Sequence, residues 1–174
     1  MRKEPLLDLN EAVQYPGRRL VFNFETNLDT EEDLDLIDPV TGHLEAVSTG
    51  SSLLLESSYC TKCVLECARC GSPLEVVLDF DMEDNFEVEG IPSSYASNSF
   101  AKVVTDEPYP LFKDNSLIRD TYVRQGLWIN LPTQPLCEHG WDGPCPNAGP
   151  ENAHDAGGNP AFRALKGLAS EDDL

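Results

Sequence analysis

No run of apolar residues approaches the roughly 20 that a membrane-spanning helix needs, so the sequence contains nothing that reads as a transmembrane segment. It opens Met1-Arg2-Lys3-Glu4-Pro5-Leu6-Leu7-Asp8 and turns acidic before a signal-peptide core could form. A cytoplasmic chain with no membrane partner is therefore expected. Basic residues are scarce: 12 Lys and Arg stand against 31 Asp and Glu, for a net charge of -19 at pH 7. A protein that grips nucleic acid by neutralising phosphates needs the opposite balance, so any RNA contact is expected to be indirect. Missing as well are G-x-S-x-G, G-x4-G-K-[ST] and H-E-x-x-H, and with them the common nucleophile elbow, phosphate cradle and zinc-protease helix. His43, His139 and His154 are isolated, and Asp81 with Glu83 lies in a charged stretch that solvation explains. No enzyme is expected, and no internal repeat is visible.

What is present suits a folded domain. The chain has 174 residues, of which 40% are hydrophobic, ordinary values for a single globular domain. Residues 1–174 are read as one. After a Leu-rich segment at 5–13, Tyr15-Pro16-Gly17 signals a turn, because Pro fixes φ and Gly tolerates a positive one. Leu20, Phe22 and Phe24 then share a face at period two, as do Leu74, Val76, Leu78 and Phe80, and both patterns predict strands. Further short strands are expected at 44–47, 53–55 and 64–65, a long loop at 92–116, and a helix at 117–125 capped by Asp114, Asn115 or Ser116 and ended by Gly126. Leu127 to Leu131 continues as strand or helix until Pro132 stops it. Near the end, Asn159-Pro160 followed by Phe162, Leu165 and Leu168 predicts a short amphipathic helix. The expected class is α+β, an antiparallel sheet spanning residues 20–80 packed with one main helix and a short C-terminal one.

Six cysteines remain, four of them crowded as Cys60-x2-Cys63-x3-Cys67-x2-Cys70, with Cys137 and Cys145 far downstream. A C-x2-C turn presents two thiolates together and supplies half of a tetrahedral zinc site. Local closure by all four clustered cysteines meets a geometric obstacle, since Cys63 and Cys67 lie about 13 Å apart if the chain between them is extended. The alternative joins Cys67 and Cys70 to Cys137 and Cys145 around one zinc ion, with His139 as a substitute for the last. That arrangement would fold residues 132–158 back onto the Cys67/Cys70 hairpin, and it would order a stretch from 132 to 160 that holds six Pro and five Gly. Reduced, buried cysteines of a site that has lost its metal remain the competing reading. Cys63-x3-Cys67-x2-Cys70 also has the spacing of the iron-sulfur ligands of radical S-adenosylmethionine enzymes. The chain is too short for their barrel, however, and Arg69 stands where they usually carry an aromatic.

The order of these parts resembles the YceD family, also called the large ribosomal RNA subunit accumulation family, whose members are described as candidate metal-binding and nucleic-acid-binding proteins. Carrying the resemblance are Tyr15-Pro16-Gly17, Leu65-Glu66-Cys67-Ala68-Arg69-Cys70, Leu131-Pro132-Thr133-Gln134-Pro135-Leu136-Cys137, Asp142-Gly143-Pro144-Cys145-Pro146 and Asn159-Pro160-Ala161-Phe162. Where many members hold further cysteines this chain has Trp141 and Ala148, while Cys60 and Cys63 are additional. The resemblance implies a part in 23S ribosomal RNA accumulation and large-subunit assembly. Its expected partner is a large-subunit ribosomal protein or a pre-ribosomal particle. An acidic protein-binding module without metal, unrelated to ribosomes, is the rival reading. Two acidic strips without Lys or Arg, residues 25–38 and 75–89, are the expected docking surfaces for a basic partner.

Overall fold

The computed structural model describes residues 5–28, 34–105, 110–137 and 145. In these the chain is α+β, with nine strands and two helices. It divides into two compact units, Met1–Leu65 with Glu75–Thr133 and Glu66–Leu74 with Gln134–Leu174.

The first unit is built on a large antiparallel sheet. Strands β2 (Arg19–Thr26), β4 (Val40–Ser48), β5 (Ser52–Glu66), β6 (Pro73–Gly90) and β7 (Ala101–Val103) follow one another in space in that order. The two-residue β3 (Asp35–Leu36) pairs with β5. Alternation decides which face is which: Leu53, Leu55, Tyr59 and Cys63 of β5 and Leu44 and Ala46 of β4 point inward and are buried. A second sheet, in the order β1 (Leu6–Asp8), β9 (Ser116–Ile118), β8 (Phe112–Lys113), and the helices α1 (Asn10–Gln14) and α2 (Arg119–Asn130) complete the unit. Leu9, Val13, Leu117, Tyr122, Val123 and Leu127 from these pieces join the sheet's inner face in one core. The Tyr122 hydroxyl donates to Asp84 Oδ2 at 2.6 Å, so the ring is buried without orphaning its polar end.

Several elements differ from expectation, each for a traceable reason. The short strands at 53–55 and 64–65 are one strand of 15 residues. Ser57 and Thr61 resemble a break in hydropathy, yet both are buried in register and their hydroxyls donate to the carbonyls of Met82 and Asp38. The strand predicted at 74–80 continues to Gly90, because the alternation carries on through acidic residues on the exposed side. Residues 116–118 pair with β1 and β8 instead of opening the helix. Asn115 does not cap α2 either; its side-chain amide donates to Asn10 Oδ1 and the Ala101 carbonyl, and its oxygen accepts from Val103 N–H. Gly126 lies inside α2, where a Cβ would collide with Met82 and Phe80, so it permits close packing and does not mark the end. Leu127 to Asn130 continue as helix, and Pro132 follows the cap at Leu131. The stretch read as a loop, 92–116, contains β7 and β8. Gln14 helps to fix it, donating to the Ala101 carbonyl at 2.7 Å and accepting from the N–H groups of Ser93 and Ala101. The helix predicted at 159–168, along with His139, His154, Trp141 and Ala148, lies outside the described residues.

Candidate metal centre

The second unit starts where β5 runs out. Cys67 N–H donates to the Ser72 carbonyl and Gly71 N–H to the Cys67 carbonyl, both at 2.9 Å, closing a tight turn between Glu66 and Pro73. Gly71 adopts φ +69, a left-handed value that suits glycine. The turn aims Cys67 and Cys70 to the same side. Ala68 N–H then donates to the Pro135 carbonyl at 2.8 Å, which brings the chain leading to Cys137 alongside.

The four predicted sulfurs stand together. Cys67 and Cys145 Sγ are 3.9 Å apart, Cys70 and Cys137 Sγ are 3.6 Å apart, and all four lie within 4.8 Å of one another. A tetrahedron of thiolates at about 2.3 Å from a central zinc has edges of roughly 3.8 Å, so the donor set fits a zinc ion in both chemistry and size. Cys67, Cys137 and Cys145 are buried and Cys70 is half-buried, with Leu74 and Leu136 packed against them. No open coordination position is needed by four thiolates, so such a centre is structural and not catalytic.

The local electrostatics separate the half-sites. Backbone N–H groups of Cys70 and Arg69 pull the Cys67 thiol down to about 6. Cys70 is lowered too, by the hydroxyl and N–H of Ser72. By contrast, Cys137 is pushed up to about 12 by its hydrogen bond to Cys67 and by burial, and Cys145 is raised chiefly by burial. The hairpin turn thus favours the charged form of its two thiols through backbone and Ser72 donors, while on the returning segment the hydrogen bond to Cys67 disfavours it at Cys137 and burial does so at Cys145. Cys60 and Cys63 take no part. Both lie on β5, Cys60 exposed on the outer face and Cys63 in the core of the first unit, where burial raises its thiol. Closure by the four clustered cysteines is thereby excluded, since an extended strand carries Cys63 away from the turn.

A second feature occupies the outer face of the large sheet. Glu75, Asp79, Asp81, Glu83, Glu87 and Glu89 all project from the exposed side of β6. Glu56 on β5 and Glu45 on β4 join Asp81 and Glu83 around a shallow depression of about 450 Å³ that also includes Arg19 and His43. The basic side chains here are engaged: Arg19 contacts Glu45 at 2.8 Å and Lys62 contacts Glu75 at 2.9 Å, while the His43 ring nitrogen Nδ1 meets Asn23 Oδ1 at 2.7 Å. The carboxylates on this face thus outnumber the basic side chains shown to contact them among the described residues. The sequence reading marked the 75–89 strip but missed Glu45 and Glu56, which period-two alternation in β4 and β5 would have put on the same side. Of the other strip, residues 29–33 lie outside the described residues. No helix among the described residues is long and apolar enough to cross a membrane.

Comparison with curated proteins finds no match, and comparison with solved structures finds none. The profile of one family does match, that of the large ribosomal RNA subunit accumulation protein YceD, over residues 55–169. That span includes most of β5, all of β6 and α2, and Cys67, Cys70, Cys137 and Cys145. It is well over half of the chain, and this protein belongs to the YceD family.

Proposed function

We propose that this protein works in the cytoplasm as a zinc-stabilised docking factor that brings a basic large-subunit ribosomal protein, or a pre-ribosomal particle carrying one, into large-subunit assembly. Membership of the YceD family makes it a non-enzymatic factor in ribosomal RNA accumulation and ribosome assembly. Residues 1–174 act as one functional domain on this reading, with residues 132–158 folding back on the hairpin and Cys67, Cys70, Cys137 and Cys145 holding one zinc ion. The observation that carries the zinc assignment is the mutual approach of four sulfurs from two half-sites distant in sequence. Zinc there would supply a cross-link between the two half-sites.

The acidic sheet face supports a basic protein over RNA as the direct partner. Opposite charge across an interface accelerates encounter more than it deepens final affinity, and a surface of this sign repels phosphates. Affinity capture from extract at low salt is expected to recover large-subunit proteins or their assembly intermediates, with recovery falling as salt rises. Purified ribosomal RNA is expected to bind weakly. Tight binding to naked RNA with a steep salt dependence would overturn the indirect-contact reading, and recovery of no ribosomal component would overturn the docking role.

A further inference from the structure

The edge of the large sheet bears on self-association. Among the described residues β2 is its terminal strand, pairing with β4 alone over eight consecutive residues in unbroken register from Arg19 opposite Val47 to Thr26 opposite Val40. Among the described residues, no hydrogen bond reaches the backbone groups on its other side. Proteins usually blunt such an edge with proline, a bulge or an inward-pointing charge. β2 has none of these three, although Arg19 and Glu25 put exposed charges on it: its inward residues are Leu20, Phe22, Phe24 and Thr26, and the first three are only half-buried. Outward it presents Arg19, Val21, Asn23 and Glu25, with Val21 49% exposed.

We propose that the free edge of β2 pairs with β2 of a second copy of this chain, antiparallel, about a two-fold axis at Phe22. Opposed residues in an antiparallel pair share a face, so only registers that match inward with inward residues are open. With Phe22 opposite its own counterpart, Arg19 of each copy faces Glu25 of the other, Val21 faces Asn23, and Leu20 faces Phe24. Shifting by one permitted step in either direction leaves both charges without an opposite partner. The edge carries one positive and one negative residue at equal distances from its centre, which makes it self-complementary. A basic partner would find Arg19 repulsive there, so the edge and the acidic face suit different occupants. Arg19 already contacts Glu45 through Nη1, and a guanidinium has donors enough to bridge a second carboxylate. Pairing would also cover the half-buried Leu20, Phe22 and Phe24 row, where cross-strand aromatic contacts are favourable.

The test uses the full chain and its molar mass in solution by light scattering and sedimentation, at about 0.15 M salt so that the repulsion between two acidic chains is screened. The wild type is expected to dimerise. Glu25→Arg places Arg opposite Arg twice and Arg19→Glu places Glu opposite Glu twice, and each alone is expected to weaken self-association about tenfold. Mixing the two variants restores both opposite-charge pairs, so a one-to-one heterodimer of near wild-type affinity should form. Circular dichroism checks that each variant is folded, and the exposed charges changed contribute little to the fold. A wild type that stays monomeric at about 0.1 mM, a dimer that Glu25→Arg leaves unchanged, or a mixture that fails to associate overturns the proposal.

Discussion

The two units are held together by different means. The first buries more than twenty side chains around Leu44, Leu55, Tyr122 and Leu127, and apolar burial of that extent is sufficient to organise a sheet and its helices. In the second, the buried cluster is Cys67, Cys137 and Cys145, with Cys70, Leu74 and Leu136 against them. Among the described residues of this unit, so few apolar groups bury little surface of their own. Where a core is too small, a metal can supply the missing stabilisation. One chain thus combines a scaffold with an extended apolar core and a unit whose described buried residues gather around four thiols.

Removing a thiolate should break this contrast most completely. Cys67→Ser takes away the sulfur with the greatest thiolate character and leaves three donors, so zinc measured by elemental analysis is expected to fall from about one per chain to near zero. Proteolysis should then cut residues 134–174 readily while residues 75–133 stay protected. Chelation of the wild type is expected to give the same pattern. Zinc-free wild type, or equal protection of both units after chelation, would sink the assignment.

The reciprocal experiment truncates the scaffold. Leu44 is fully buried at 0% exposure in the centre of β4, and Leu44→Ala is expected to destabilise the protein by about 2–5 kcal/mol through lost burial and the cavity left behind. Zinc stoichiometry of the folded variant should remain that of the wild type. Urea denaturation followed by near-ultraviolet dichroism, together with metal analysis on the same sample, measures both. A variant that loses zinc while still folded would show that the two units do not stand on separate supports.

The same contrast accounts for what could be read beforehand. Strand periodicity in Leu20, Phe22 and Phe24 and in Leu74 through Phe80 was legible because inward positions are apolar, and the sulfur cluster was legible because Cys67-x2-Cys70 is half of a metal site and Cys137 and Cys145 lie in a Pro- and Gly-rich stretch that needs an anchor. Less legible were the interiors of β5 and the stretch 92–116. Buried Ser57 and Thr61 satisfy their hydroxyls on carbonyls of distant residues, and Gln14 supplies hydrogen bonds to β7 from 87 residues away. No local pattern encodes such partners. Asn115 looked like a helix cap because its amide competes well for backbone groups, but the groups it found belong to Ala101 and Val103.

The smallest effect concerns a group in the scaffold's core that gains nothing from its polarity. Tyr59 is 1% exposed, its ring lies 5.4 Å from that of Phe80 and 6.1 Å from that of Phe24, and its hydroxyl has no hydrogen-bond partner among the described residues. Burial pushes the phenol up to about 12, eased only in part by the nearby Ser57 hydroxyl. Because the folded value lies above the ordinary 10, the fold favours the neutral phenol. This contribution is whole below pH 10 and is lost as pH rises towards 12. Tyr59→Phe keeps the ring stacking and removes the unsatisfied oxygen, so near pH 7 it is expected to be neutral or stabilising by up to about 1 kcal/mol. Between pH 10 and 12 the wild type should lose stability faster than the variant, while Tyr122, raised by burial and its bond to Asp84, stays protonated in the folded state of both and affects them alike. Urea midpoints taken across that range decide it: a variant clearly weaker than wild type at pH 7, or one with an identical alkaline slope, would mean that the Tyr59 hydroxyl has a partner in solution.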